Sequence, residues 1–211
     1  MLKKGGLFYP DKDFQAKAVV KDETVYLEAE KDPLAFWEKM AGSLVWQQKW
    51  SKVFEHQPPR FKWFLGGKMN ITENCLDRHL LALKDKVALI WEPEPETEKV
   101  RTMTYGELSI EVNQTANALK GLGVRKGDHV GIYLPMIPEV VVSMLACARI
   151  GAVHSVVFSA FSSQALKARL LDTGAKVLIT ADGYYRRGQV INLKMAADEA
   201  IKETQVNKIV I

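Results

Sequence analysis

Between Asp128 and Phe161 the chain reads DHVGIYLPMIPEVVVSMLACARIGAVHSVVFSAF, and no other stretch restricts the possible fold as much. His129 to Leu134 is mostly apolar with little alternation, the pattern of a strand covered on both faces. Pro138 and Glu139 then open a helix: proline tolerates the first helical position, and an acid there complements the helix dipole. Val140 to Ile150 is apolar nearly all round, which predicts a buried helix closed by Gly151. Ala152 to Phe158 supplies a second, β-branched strand. Strand, helix and strand together have the length of a βαβ crossover, roughly 30 residues. The fold class expected is therefore α/β, a parallel sheet with flanking helices.

The remaining composition narrows the function classes. A chain of 211 residues with a net charge of +4 has no concentrated basic stripe in its sequence, so a nucleic-acid partner is not indicated. The only cysteines, Cys75 and Cys147, lie far apart and form neither a disulfide framework nor a metal-ligand spacing. The start, MLKKGGLFYP, lacks the apolar run of a signal peptide, and the apolar region around Val140 is broken by Arg149 and His154. No membrane partner and a cytoplasmic setting are the expectations.

Residues 1–31 show no clear period and are expected to run over the surface. Asp32-Pro33 starts a helix, aspartate as cap and proline at the first position, with Leu34, Trp37, Met40 or Ala41, and Leu44 on one face. Trp37, Trp46, Trp50 and Trp63 could stack bases, but without an interleaved basic patch they read as aromatics that pin this segment onto the main domain. Gln57-Pro58-Pro59 and Gly66-Gly67 mark turns. Cys75, Leu76, His79, Leu80 and Leu83 form a helical stripe. Asn74, Cys75, Asp77 and His79 superficially suggest a nucleophile and base, but a catalytic base normally comes from elsewhere in the fold, and the structural reading is preferred.

Val87 to Trp91 and Val100 to Tyr105 flank the charged loop EPEPETEK and predict a hairpin. Its glutamates, at 92, 94, 96 and 98, could mimic a cation site; prolines between them favour a solvated turn. Thr104-Tyr-Gly-Glu107 is a capping box for a helix burying Leu108, Val112, Ala116 and Leu119. Gly121, Gly123 and Gly127 superficially resemble a dinucleotide fingerprint, but they follow a helix and precede a strand, the reverse of the order a phosphate-binding loop needs. That context argues against a Rossmann-type oxidoreductase. Further on come a helix from Ser162 to Asp172 with Leu166, Leu170 and Leu171 available to the core, a strand Lys176 to Thr180, a loop ADGYYRRGQV, a helix from Asn192 to about Glu203, and a last strand from Lys208. With no helix after that strand, the sheet is expected to be cut off rather than finished.

The segments WFLGGKMNITENCLDRHL, ALIWEPE, VRTMTYGEL, IYLPMIPEVVVSMLACARIGAVHSVVFSAFS and TADGYYRRGQVINLK resemble the AMP-forming acetyl-CoA synthetases, of the adenylate-forming ligases, from about Phe36 to Ile211. The resemblance implies two steps: ATP and acetate, or another short acid, give an acyl-adenylate and pyrophosphate, and the CoA thiol then displaces AMP. It further implies an N-terminal segment of the acetyl-CoA synthetase type over residues 1–83. Residues 84–211 would be the start of the AMP-binding domain, truncated within its sheet and amounting to roughly the first third of such an enzyme. The family's Ser/Thr/Gly-rich phosphate loop ending in Pro-Lys-Gly has no match here, nor do its later nucleotide motifs, its hinge aspartate or its C-terminal lysine. No catalytic residue and no metal ligand is therefore assigned, and ATP and Mg belong to a full-length parent.

One site of the family falls inside the chain. The loop carrying Arg-x-Gly-basic contacts the nucleotide end of CoA in acetyl-CoA synthetases, and here it reads Arg186-Arg187-Gly188-Gln189. Arg186 suits stacking on adenine and pairing with phosphate, and Gly188 allows close backbone approach. Gln189 replaces the basic residue; a charged hydrogen bond is worth roughly 1.5–3 kcal/mol against about 1 for a neutral one, a loss of around tenfold in affinity. Phe158 matches the Phe-Gly-Gly-Phe turn near CoA, with Ser159 and Ala160 in place of the glycines. Apart from the resemblance, Arg186 and Arg187 read as a solvated pair at a helix entry. The expectation is a fragment of a short-acyl-CoA ligase, inactive alone, arising from an interrupted gene, a deliberate shortening, or a split enzyme whose other part is a separate chain. The alternative is a non-catalytic CoA- or acyl-CoA-binding or regulatory module.

Overall fold

The computed structural model describes residues 2–211. Backbone contacts divide it into two compact units, one ending at Lys68 and the other running from Met69 to Ile211.

The first unit opens with a small hairpin, β1 (Leu2–Lys4) and β2 (Leu7–Tyr9), joined through Gly5 and Gly6, both at positive φ. The helices α1 (Lys12–Lys17), α2 (Thr24–Lys31) and α3 (Pro33–Ala41) follow. Asp32 caps α3 as expected, its carboxylate accepting from the Ala35 amide at 3.0 Å. Of the residues expected on one face of α3, Leu34, Trp37, Met40 and Leu44 are exposed and Ala41 is buried. A second hairpin, β3 (Lys52–Gln57) and β4 (Arg60–Leu65), turns at Pro58-Pro59. This unit builds its core from aromatics. Trp46, Trp50 and Phe64 meet with ring centroids 4.8 to 5.6 Å apart, and the Trp46 indole donates to the Ala41 carbonyl.

The second unit begins with a π-helical turn, Glu73–Asp77, that runs into α4 (Arg78–Leu83). β5 (Val87–Trp91) and β6 (Arg101–Thr104) form the expected hairpin. Next come α5 (Tyr105–Gly121), β7 (His129–Tyr133), α6 (Pro138–Arg149), β8 (Val153–Val156), α7 (Ser163–Thr173) and β9 (Val177–Thr180). A third hairpin, β10 (Gly183–Arg186) and β11 (Gln189–Asn192), leads into α8 (Leu193–Ala200) and β12 (Lys208–Val210). The four strands β12-β9-β7-β8 pair in that order, all parallel. Alternation then separates two packed faces. Val130, Ile132, Val177 and Ile179 meet the α5 and α6 residues Ala116, Leu119, Val140 and Ala146 on one side. Leu178 and Tyr133 meet Leu166 and Leu170 of α7 and Leu193 and Ala197 of α8 on the other. A fully buried leucine of this kind contributes about 1.5–3 kcal/mol, so this double layer holds most of the stability.

Three details depart from the sequence reading. The second strand of the crossover is shorter than Ala152–Phe158 and lies at the sheet edge, with Val153 and Val156 exposed. Leu171 points to solvent rather than to the core. The segment expected as a loop at 181–190 is mostly the β10–β11 hairpin.

The polar block around residue 70 turns out to be a support. The Asn70 amide donates to the Ala148 and Arg149 carbonyls, both at 3.1 Å, and so caps the end of α6. Asp77 takes a bidentate contact from Arg149 at 2.8 and 3.1 Å. The His79 ring packs 5.5 Å from Tyr105, and Cys75 is exposed. These side chains tie the π-helical turn to the helix layer rather than assembling a nucleophile.

Candidate functional site

In an open parallel sheet, ligand clefts lie outside the carboxyl ends of the strands, where successive crossovers leave in opposite directions. Here the chain leaves β7 towards β8 on one side, while β9 leads towards β12 on the other. A cleft of about 720 Å³ opens at that place, walled by the segments that follow β7, β8 and β9 and by the β5–β6 hairpin.

Four of the five residues singled out for CoA form one turn. Arg186 and Gln189 are the last paired residues of the β10–β11 hairpin, and Arg187 and Gly188 are its two-residue tip. Both tip residues have positive φ, 53° and 73°, as a hairpin turn of primed type requires. Glycine meets that requirement freely, whereas Arg187 holds the conformation at some cost. The hairpin is anchored by Gly183, where an added Cβ would sit 2.7 Å from the Ile191 carbonyl oxygen, and by Asn192, whose side chain accepts from the Met195 amide to cap α8.

Phe158, the fifth residue, comes from the turn after β8. Tyr133 fixes that turn: its buried hydroxyl donates to the Ser159 and Phe161 carbonyls at 3.1 and 2.7 Å. Burial, with the Tyr184 phenol nearby, pushes the Tyr133 hydroxyl above its ordinary pKa and keeps it a donor. The Arg186 guanidinium lies over the Phe158 ring, 5.6 Å from its centroid. The two residues, apart in sequence, thus share one wall of the cleft, with a cation stacked on an aromatic face. Arg186 is half-buried, and Phe158 is 53% exposed.

Glu94, of the charged loop EPEPETEK, also lines the cleft. The Gly188 amide donates to Glu94 Oε1 at 2.8 Å, joining the β5–β6 loop to the hairpin tip. Nothing local in EPEPETEK announces this contact, because its partner is 94 residues away. Trp91 also lines the cleft; its indole donates to the Met136 carbonyl at 2.8 Å and the Arg101 guanidinium lies over its ring. Among the charged side chains of the lining, Glu92, Glu94, Glu98 and Asp182 oppose Arg186 alone. No group of three or more His, Cys, Asp or Glu side chains among the described residues is arranged to hold a metal ion. Aromatic faces and one stacked guanidinium at the rim suit a flat ring system, with positive charge confined to the Arg186 side of an otherwise acidic lining.

Comparison with known proteins gives this arrangement its context. Residues 76–211 match the family model described as AMP-binding enzyme, and residues 23–75 match that described as acetyl-coenzyme A synthetase N-terminus. The chain belongs to the AMP-binding enzyme family. Its relatives include an acetyl-coenzyme A synthetase of Gemmatimonas aurantiaca, 51% identical over 96% of this chain and 31% of that protein. An acetyl-coenzyme A synthetase of Rubrobacter xylanophilus is also 51% identical, over 96% of this chain and 32% of its own length. One from Mycolicibacterium smegmatis is 53% identical over 92% of this chain and 21% of its own length. The chain thus spans about a third of the length of the first two curated relatives. Among the described residues no helix is long and apolar enough to cross a membrane.

Proposed function

We propose that the chain supplies the N-terminal part of an AMP-forming acetyl-CoA synthetase, and that its share of the work is to hold the nucleotide end of CoA. The parent reaction converts ATP, acetate and CoA to acetyl-CoA, AMP and pyrophosphate through acetyl-adenylate, with Mg accompanying ATP. The observation that carries this reading is the Arg186 guanidinium stacked on Phe158 at the rim of the cleft, in a chain so similar to acetyl-coenzyme A synthetases. Arg186 would stack on the adenine or pair with a phosphate, Phe158 would hold the guanidinium in place, and the backbone at Gly188 would allow the ligand to approach closely. Arg187 adds positive charge at the tip, and Gln189 contributes a neutral hydrogen bond.

The chemistry of adenylation rests on groups that position and neutralise the triphosphate. The 211 residues contain no Pro-Lys-Gly phosphate loop, so in this reading the catalytic groups of adenylation lie outside them and these residues by themselves are inactive. Two measurements test this. The purified chain should bind CoA by calorimetry, with Arg186→Ala weakening binding on the order of tenfold, the scale of one lost charge-assisted contact. It should show no acetate-dependent ATP–pyrophosphate exchange until the remainder is added. Exchange by the chain alone would overturn the inactivity, and CoA binding without rescue by the remainder would favour a non-catalytic CoA-binding module.

A further inference from the structure

The contact between Glu94 and Gly188 sets a carboxylate where the proposed ligand would bring its own anion. The Gly188 amide lies at the hairpin tip, with Arg187 before it and Arg186 stacked on Phe158 nearby. Glu94 accepts from that amide at 2.8 Å across 94 residues of sequence. It arrives on the β5–β6 loop, whose Glu92 and Glu98 also line the cleft. We infer that Glu94 is an internal competitor for the phosphate end of CoA: it occupies the anion position at the hairpin tip and is displaced when coenzyme binds.

The inference rests on the CoA reading above and adds to it a residue that sets how strongly the phosphate is recognised. A carboxylate carries one negative charge, whereas a phosphate monoester carries about 1.5 to 2 and three acceptor oxygens. At a turn bearing two arginines the phosphate therefore wins the exchange. It also meets less repulsion once the Glu94 side chain, exposed at the surface, has swung out. Dephospho-CoA keeps its diphosphate but lacks the ribose phosphate monoester, so it brings no dianion of that kind to the Gly188 amide and leaves Glu94 in place.

The test compares CoA with dephospho-CoA, in which a hydroxyl replaces the ribose phosphate, on the purified 211-residue chain by calorimetry. Glu94→Ala is expected to tighten CoA binding about fivefold, the size of effect of removing one facing charge, and Glu94→Gln by less. Binding of dephospho-CoA should change by less than about twofold in either variant. Glu96→Gln removes the same charge from the same loop at a residue that does not line the cleft, and should leave CoA binding unchanged. The inference is overturned by unchanged or weaker CoA binding in Glu94→Ala, by an equal gain in Glu96→Gln, or by an equal gain for dephospho-CoA. If wild type binds CoA and Arg186→Ala binds it equally well, the coenzyme reading itself fails. If neither wild type nor Glu94→Ala binds CoA, both fall together.

Discussion

Thr104 and Glu107 show how much a single residue's setting can decide. The Glu107 carboxylate accepts from the Thr104 amide at 2.7 Å and from its hydroxyl at 3.0 Å, while the Thr104 hydroxyl accepts from the Glu107 amide. The Thr104 amide bond, and then its hydroxyl, hold the Glu107 carboxyl below its ordinary range. A depressed folded value means that stability is present above the unfolded pKa and is lost as pH falls through the folded one. Glu107→Gln should therefore melt below wild type at neutral pH, and the difference should shrink as the pH is lowered from about 5 towards 3. Melting curves in which the gap stays constant down to pH 3 would contradict the capping account. Thr104→Ala removes the other half of the box and should cost about 1 kcal/mol at neutral pH.

Packing between elements is close where β7 passes under α7. An added Cβ at Gly131 would lie 2.7 Å from Leu170 Cδ2 and 3.1 Å from Leu178 Cδ1, both on fully buried side chains. Gly131→Ala should cost about 1–3 kcal/mol by overpacking. Chemical denaturation would show it as a lower midpoint with unchanged slope; a neutral result would mean that this layer yields more than its geometry allows. The elements legible in the sequence were those with local signals. The Pro138-Glu139 start, the Ser162 and Asn192 caps and the Gly174 stop in the left-handed region all act within one turn of helix. The hairpins were harder. β10–β11 turns on Arg187-Gly188 rather than Asn-Gly, yet Tyr184 opposite Ile191 and Tyr185 opposite Val190 carry a symmetric pattern about that pair. The α3 stripe is a different case, because helical periodicity identifies an apolar face without saying whether anything covers it. At the proposed site, family resemblance singles out Arg186 and Phe158 but not their stacking, since no local pattern encodes a contact between two segments so far apart in sequence.

At the scale of the whole molecule, the sheet has an edge at β8, where the ladder ends and Val153 and Val156 are 47% and 46% exposed. An exposed β-branched edge is a template for pairing with another chain. The purified protein should self-associate reversibly at about tens of micromolar, and Val156→Lys should return it to monomer by sedimentation velocity. An unchanged sedimentation profile in the variant would place the association elsewhere. The same scale gives the tryptophans a use. Four of the five precede Lys68, and Trp46 and Trp50 among them are locked in an aromatic core. Trp91 alone belongs to the unit with the cleft, where its indole rests on the Met136 carbonyl under the Arg101 guanidinium. The cleft therefore carries its own optical gauge: anything that enters and disturbs that indole changes the emission of one fluorophore, which Trp91→Phe would remove.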